Sequence, residues 1–459
     1  MALSALWASA GLPVDALARA TLTGEDPALP SSFAVGTVAQ ASFAAAALAA
    51  TEIGRVRNGL EQQISVDMRD AAIECCSAFT IDGVAPKVWD KLAGLYECRT
   101  GWVRLHTNFA HHRDGVLRLL GLPEGPDTER AAVAAALAGW DALAFEQAAT
   151  DAGMVVAALR TFEEWDAHPQ ASALNAQPLI AIERIGDAPP RAWPGLALEQ
   201  RPLSGLRVLE LTRILAGPFC GRLLAAYGAD VLLVNAPHLP NIESIAENSR
   251  GKLSALADLR DEAGRAGLSA VLRDADVFIQ GYRPGALAAR GLGADAVAAA
   301  RPGIVTVSLS AYGESGPWAG KRGFDSLVQT ATGFNHAEGI AAGEAKPRAL
   351  PMQVLDMATG ALMAFGAQVA LLRQRHEGGS WHVRVSLART GLWLRTFGRV
   401  ARGFEAPAAD YAGRMETSPS GWGQLGTVRH AVHFSHMPAG YARVSMPPGS
   451  HPLAWPGRS

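Results

Sequence analysis

From residue 203 onward, apolar runs of five or six residues alternate with stretches of helical periodicity. Val208-Leu209-Glu210-Leu211-Thr212, Asp230-Val231-Leu232-Leu233-Val234, Asp276-Val277-Phe278-Ile279-Gln280 and Ile304-Val305-Thr306-Val307-Ser308-Leu309 read as strands. Residues 219–227, 261–274 and 286–300 read as helices between them. Runs apolar on both faces and joined by amphipathic helices predict an α/β fold, a parallel sheet covered by helices on both sides. Ligands of such sheets bind beyond the carboxyl ends of the strands. Here those ends carry Arg213-Ile214-Leu215-Ala216-Gly217-Pro218, Gly281-Tyr282-Arg283-Pro284-Gly285 and Ala311-Tyr312-Gly313. Further on, Asp356 opens a long helical pattern in which Leu362, Phe365, Val369 and Leu372 share one face. It ends near Gly378-Gly379, and Val383, Val385 and Leu387 then alternate as a strand.

The N-terminal part contains a similar unit. The stretch 27–51 carries no charge, and its alanine-rich portion from 34 to 50 predicts a buried helix rather than a membrane span, because Pro30, Thr37, Gln40 and Ser42 interrupt it. Asn58-Gly59 ends the helical pattern, and Ile64, Val66 and Met68 alternate after it. A shift of 319 residues lays Gly59 on Gly378, Val66 on Val385 and Thr37 on Asp356. Residues 95–106 read as a hairpin, and helical segments over 114–120, 129–137 and 142–153 complete a small α+β unit. Gly, Pro and Trp punctuate residues 186–202, the mark of a linker. The chain thus divides into a helix-strand unit (1–90), a small α+β domain (91–185), the linker, an α/β domain (203–400) and a C-terminal tail (401–459).

Composition narrows the function. Lys plus Arg number 41 against 43 Asp plus Glu, a net charge of -2. No basic excess is present for nucleic acid. The first twenty residues lack a basic leader, so no signal peptide and no membrane partner are expected. The four cysteines form no C-x-x-C pair, which fits a reducing, cytoplasmic setting.

Candidate chemistry is sparse. No G-x-G-x-x-G, Walker or G-x-S-x-G sequence is present. Cys220 lies in an apolar helix and reads as core. His106 with His111-His112, and the series His430, His433 and His436, read as packed or solvated imidazoles; no metal site is expected. Asp356 stands alone at a helix start, where it reads as an N-cap or as a carboxylate nucleophile favoured by the helix N-terminus. Arg213, Arg260, Arg283, Lys321 and Arg322, all at strand ends or loops, together suit a polyanionic ligand.

Several motifs in one order resemble the class III CoA-transferases, the family of formyl-CoA transferase and L-carnitine CoA-transferase. They are Leu203-Ser204-Gly205 through Arg213, Ala216-Gly217-Pro218, Gly228-Ala229-Asp230-Val231, Asp258-Leu259-Arg260, Tyr282-Arg283-Pro284-Gly285, Ser310-Ala311-Tyr312-Gly313, Gly323-Phe324-Asp325, and Asp356 with Gly360. The resemblance covers 203–388 and implies a Rossmann-like domain plus a smaller α+β domain. It implies that Asp356 is the nucleophile, moving CoA from an acyl-CoA to a carboxylic acid through covalent aspartyl intermediates. It places coenzyme A contacts at Ile214, Leu215, Ala257, Asp258, Leu259, Arg260, Gly281, Tyr282, Arg283 and Arg322. The CoA thioester is then a substrate, with no tightly bound cofactor, and a homodimer is expected. The N-terminal part looks like later segments of the family, as in a fusion whose first copy is truncated and carries Thr37 at the nucleophile position. Asn235, Gly281 and Ala289 depart from the family pattern. Two rivals remain: an α-methylacyl-CoA racemase-like enzyme, disfavoured because Phe324 replaces the proton-transferring histidine, and a non-catalytic CoA-binding protein.

Overall fold

A computed structural model describes residues 1–457. Seven strands form the central sheet in the order Lys252–Leu256, Asp230–Asn235, Arg207–Leu211, Val277–Gln280, Val305–Ser310, Ser380–Ser386, Ala181–Gly186. The first six are parallel and the last is antiparallel. Residues alternate between two buried faces along each strand. Val208, Val277 and Ile279 enter one core; Leu209, Leu211 and Phe278 enter the other. Such two-sided burial is why the strands read as predominantly apolar runs. The 252–256 strand, with its buried Lys252, had no such run to betray it. The expected helix over 286–300 is broken at Gly291 and Gly293, leaving a short turn and the helix Ala294–Ala300.

Two helices of equal length fill the larger core, Val35–Asn58 and Val354–Glu377. Their starts are 319 residues apart, as the sequence shift requires. Alanine along the first lets them approach closely, and Gln368 Nε2 of the second donates to the Ala46 carbonyl at 3.0 Å. The helix Val354–Glu377 is apolar enough to cross a membrane by composition, but its apolar window is wholly buried in the protein. Gly59, at φ +76°, closes the first helix in the left-handed conformation that glycine adopts without strain.

The expected hairpin is present as Gly94–Cys98 and Gly101–Leu105, joined by Val156–Ala158 into a small antiparallel sheet. Helices Ala110–Leu119, Arg130–Leu137 and Ala142–Asp151 cover it, with a core of their own. The C-terminal segment returns to the N-terminal unit. Val432–Phe434 pairs with Ile64–Asp67, and Gly423–Val428 pairs with Phe79–Ile81. Buried Arg222 of the α/β domain ties that domain to the N-terminal unit by an ion pair to Glu74 and also pairs with Glu247 of its own domain.

Candidate active site

Asp356 is the third residue of its helix and is 6% exposed. This corrects the N-cap reading: the cap position belongs to Gln353, whose side chain makes no cap bond. The capping acceptor comes from another element. Asp325 Oδ2 accepts the Asp356 backbone N–H at 2.9 Å, and Gln329 donates to the other oxygen of Asp325. The N-terminal helix Val35–Asn58 repeats the device: Asp26 accepts the Thr37 N–H at 2.9 Å and also the Thr37 hydroxyl. A hydroxyl can share its cap in this way, whereas a second carboxylate cannot without a proton.

Two buried carboxyls therefore face each other. Burial, then the charge of Asp325, pushes the Asp356 carboxyl well above the usual range. Burial raises Asp325 to about 6, against the lowering effect of the helix N–H groups and Gln329. The Ala216 N–H opposes the rise at Asp356. Ala216 begins the helix Ala216–Ala226, and Gly360 permits its approach. A Cβ on Gly360 would lie 2.4 Å from the Ala216 carbonyl oxygen. Asp356 and Gly360, four residues apart, thus present a carboxyl and a gap to the same helix start.

Asp356 lies between two cavities. The first, of about 320 Å³, opens at the carboxyl ends of Arg207–Leu211 and Val277–Gln280, where the strand order reverses. It is lined by Ile214, Leu215, Gly281, Tyr282, Arg283 and Arg322, six of the expected contacts, together with Arg213 and Lys321. Among the described residues Arg213, Arg283 and Arg322 pair with no carboxylate, while Lys321 is bound to Glu146 at 2.9 Å. Ile214 holds φ +76°, an uncommon conformation for a β-branched residue, at the turn between strand and helix. The expected contacts Ala257, Asp258, Leu259 and Arg260 do not line this cavity. They follow the strand Lys252–Leu256, and Arg260 is exposed and paired with Asp258 at 2.6 Å. Parallel strand ends two positions from the reversal are displaced sideways from it, a separation that linear motif order does not express.

The second cavity, of about 290 Å³, reaches Asp356 from the other side of Ile214, Leu215 and Phe324, which line both. Its outer wall comes from the N-terminal part, including Val88, Trp89 and His106. The sequence reading takes His106, His111 and His112 as packed or solvated imidazoles; the structure packs His106 and places all three at cavity walls. His106 stacks on Phe324 with ring centroids 3.9 Å apart, and His111 and His112 line the first cavity. The sequence signal is alternation: one residue past the strand Gly101–Leu105, His106 continues the series Trp102, Arg104. His430 is instead held by Glu74 at 3.0 Å, and Cys220 is buried, its thiol pushed up by burial. Among the described residues no cluster of metal-ligating side chains exists.

The sheet, the reversal point and the buried carboxyl define an α/β enzyme with a strand-end site. The model of the family described as CoA-transferase family III matches residues 203–419. An acyl-CoA transferase of Gibberella moniliformis is 30% identical over 408 residues, spanning 79% of this chain and 71% of its own length. A probable fatty acyl-CoA transferase of Mycobacterium tuberculosis is 33% identical over 209 residues, 42% of this chain and 52% of that protein. A succinate–glutarate CoA-transferase of Agrobacterium fabrum is 34% identical over 205 residues, 40% of this chain and 51% of that protein. The chain spans about half the length of these two bacterial relatives. It belongs to the class III CoA-transferases, a family of enzymes.

Proposed function

We propose that this chain transfers CoA from an acyl-CoA to a carboxylic acid, with Asp356 as the nucleophile. The observation that carries the reading is the position of Asp356 between an arginine-bearing cavity and a mostly apolar one. CoA phosphates suit Arg213, Arg283 and Arg322, and Tyr282 offers a flat apolar face for the nucleotide. An Asp356 carboxylate oxygen attacks the thioester carbonyl carbon, and the CoA thiolate leaves. The thiolate then attacks the aspartyl carbonyl of the mixed anhydride and releases the first acid as a carboxylate. The acceptor carboxylate attacks the aspartyl thioester, CoA leaves again and returns to the acyl carbonyl, and Asp356 is regenerated.

A carboxylate of raised basicity is a stronger nucleophile once ionised. The Ala216 N–H lies at a helix start facing that carboxylate, where it can also support the oxyanion. Residues 91–185 of the same chain wall the first cavity through Phe109, His111 and His112 and, with Val88 and Trp89 of the preceding unit, wall the second through His106; together they exclude water from the anhydride. Residues 1–90 are in this reading a truncated copy, inactive because Thr37 stands in place of the nucleophile. A cytoplasmic homodimer belongs to the same proposal; the four free thiols suit a reducing compartment.

Trapping tests the chemistry. Incubation with an acyl-CoA and hydroxylamine should convert Asp356 to its hydroxamate, read by peptide mass spectrometry. Transfer without any modification at Asp356 refutes the reading.

A further inference from the structure

The second cavity carries information about the acid. Among the described residues it is lined by no lysine and no arginine. Its walls are largely apolar or aromatic, with Val88, Trp89, Phe324 and Met352 prominent. Apart from Asp356, its ionisable side chains are Cys76, His106 and Tyr411. Burial raises the Cys76 thiol and the Tyr411 phenol and lowers His106 to about 3, so all three are neutral near pH 7. His106 is 4% exposed, and its Nδ1 has no hydrogen-bond partner. That nitrogen is sealed from the cavity, whereas Nε2 is neither sealed nor hydrogen-bonded, so Nε2 is the ring atom that a ligand in the cavity can meet. The ring is fixed there by stacking on Phe324 and by the backbone bond from the His106 N–H to the Val155 carbonyl at 3.1 Å.

We propose that this cavity holds the acyl group of a monocarboxylic acid, uncharged beyond its carboxyl carbon, with the His106 imidazole hydrogen-bonded to the acyl carbonyl oxygen. The inference rests on the CoA-transfer reading for its ligand. A second carboxylate in the same space would lose its hydration and meet no cation. Arg104 is the guanidinium to consider as an exception. It packs on Trp89, 5.6 Å from the ring centroid, and does not line the cavity. Chain length and branching are limited by the aromatic walls, and the bond at the carbonyl end is common to every acid that enters.

The test is binding, which needs no turnover. The full chain carrying Asp356→Asn is titrated by calorimetry with glutaryl-CoA and with 5-methylhexanoyl-CoA, which has the same branching with a neutral end. The neutral thioester should bind at least tenfold tighter. Adding His106→Ala should weaken 5-methylhexanoyl-CoA at least fivefold and leave free CoA unchanged, and His106→Gln should recover part of the loss. Equal or tighter binding of glutaryl-CoA overturns the proposal, most directly if that binding falls in Arg104→Ala. An equal loss for free CoA and acyl-CoA in both His106 variants overturns the assignment of His106. A chain that shows the preference yet transfers no CoA refutes the proposed function and leaves this inference standing.

Discussion

Asp356→Asn separates chemistry from stability, because the structure predicts opposite effects on the two. An unfolded Asp356 loses its proton near the ordinary aspartate value of 3.8, whereas the buried carboxyl beside Asp325 keeps it well above that. The folded state then binds the extra proton, so stability falls as pH rises from about 4 toward the folded value. Each pH unit in that window costs ~1.4 kcal/mol. Asparagine cannot ionise and removes that cost without a change of shape. For a chain of this length 1 kcal/mol moves Tm by roughly 1 °C. Asp356→Asn should therefore melt above the wild type at pH 7.5, by roughly 1–2 °C for each pH unit over which the folded carboxyl keeps its proton, and level with it at pH 4. Scanning calorimetry across pH 4–8 reads the effect, and the same sample should show no CoA transfer, since an amide cannot form the anhydride. A variant that melts at or below the wild type at pH 7.5, or whose gain is the same at both pH values, would refute the account of a strained carboxyl pair.

Gly360→Ala drives a Cβ to 2.4 Å from the Ala216 carbonyl oxygen and must push the two helices apart. It should destabilise by ~1–3 kcal/mol and cut the transfer rate at least tenfold, measured by denaturant unfolding and steady-state assay. Arg213→Ala and Arg322→Ala each remove a charge facing the first cavity. Each should raise KM for the CoA thioester by about tenfold with a smaller change in kcat, the loss of one charge-assisted bond. A 2-methylacyl-CoA in deuterated water should gain no α-deuterium, because Phe324 stands at the proton-transfer position. Uptake that disappears in His106→Ala would place a base on the small domain instead.

Much of this protein was legible in the order of its residues. Strands buried on both faces are mostly apolar on both, so four of the parallel strands are legible as apolar runs. A helix packed against another along its whole length needs small side chains, and the alanine run from 34 to 50 is its trace. The equal spacing of two such helices showed as a shift of 319. Asp356 and Gly360 were visible as a pair because their i,i+4 spacing belongs to one helix. Other features existed only once the chain closed. The cap of Asp356 is a carboxylate 31 positions away in sequence, and that contact brings a second buried carboxyl whose charge raises the first. His106 lies 218 residues before Phe324 and acquires a role only by stacking on it. The separation of Arg260 from Arg213 depends on strand order, which local periodicity cannot encode. Local patterns record what each segment buries; which segments face one another across a cavity is decided by long-range packing alone.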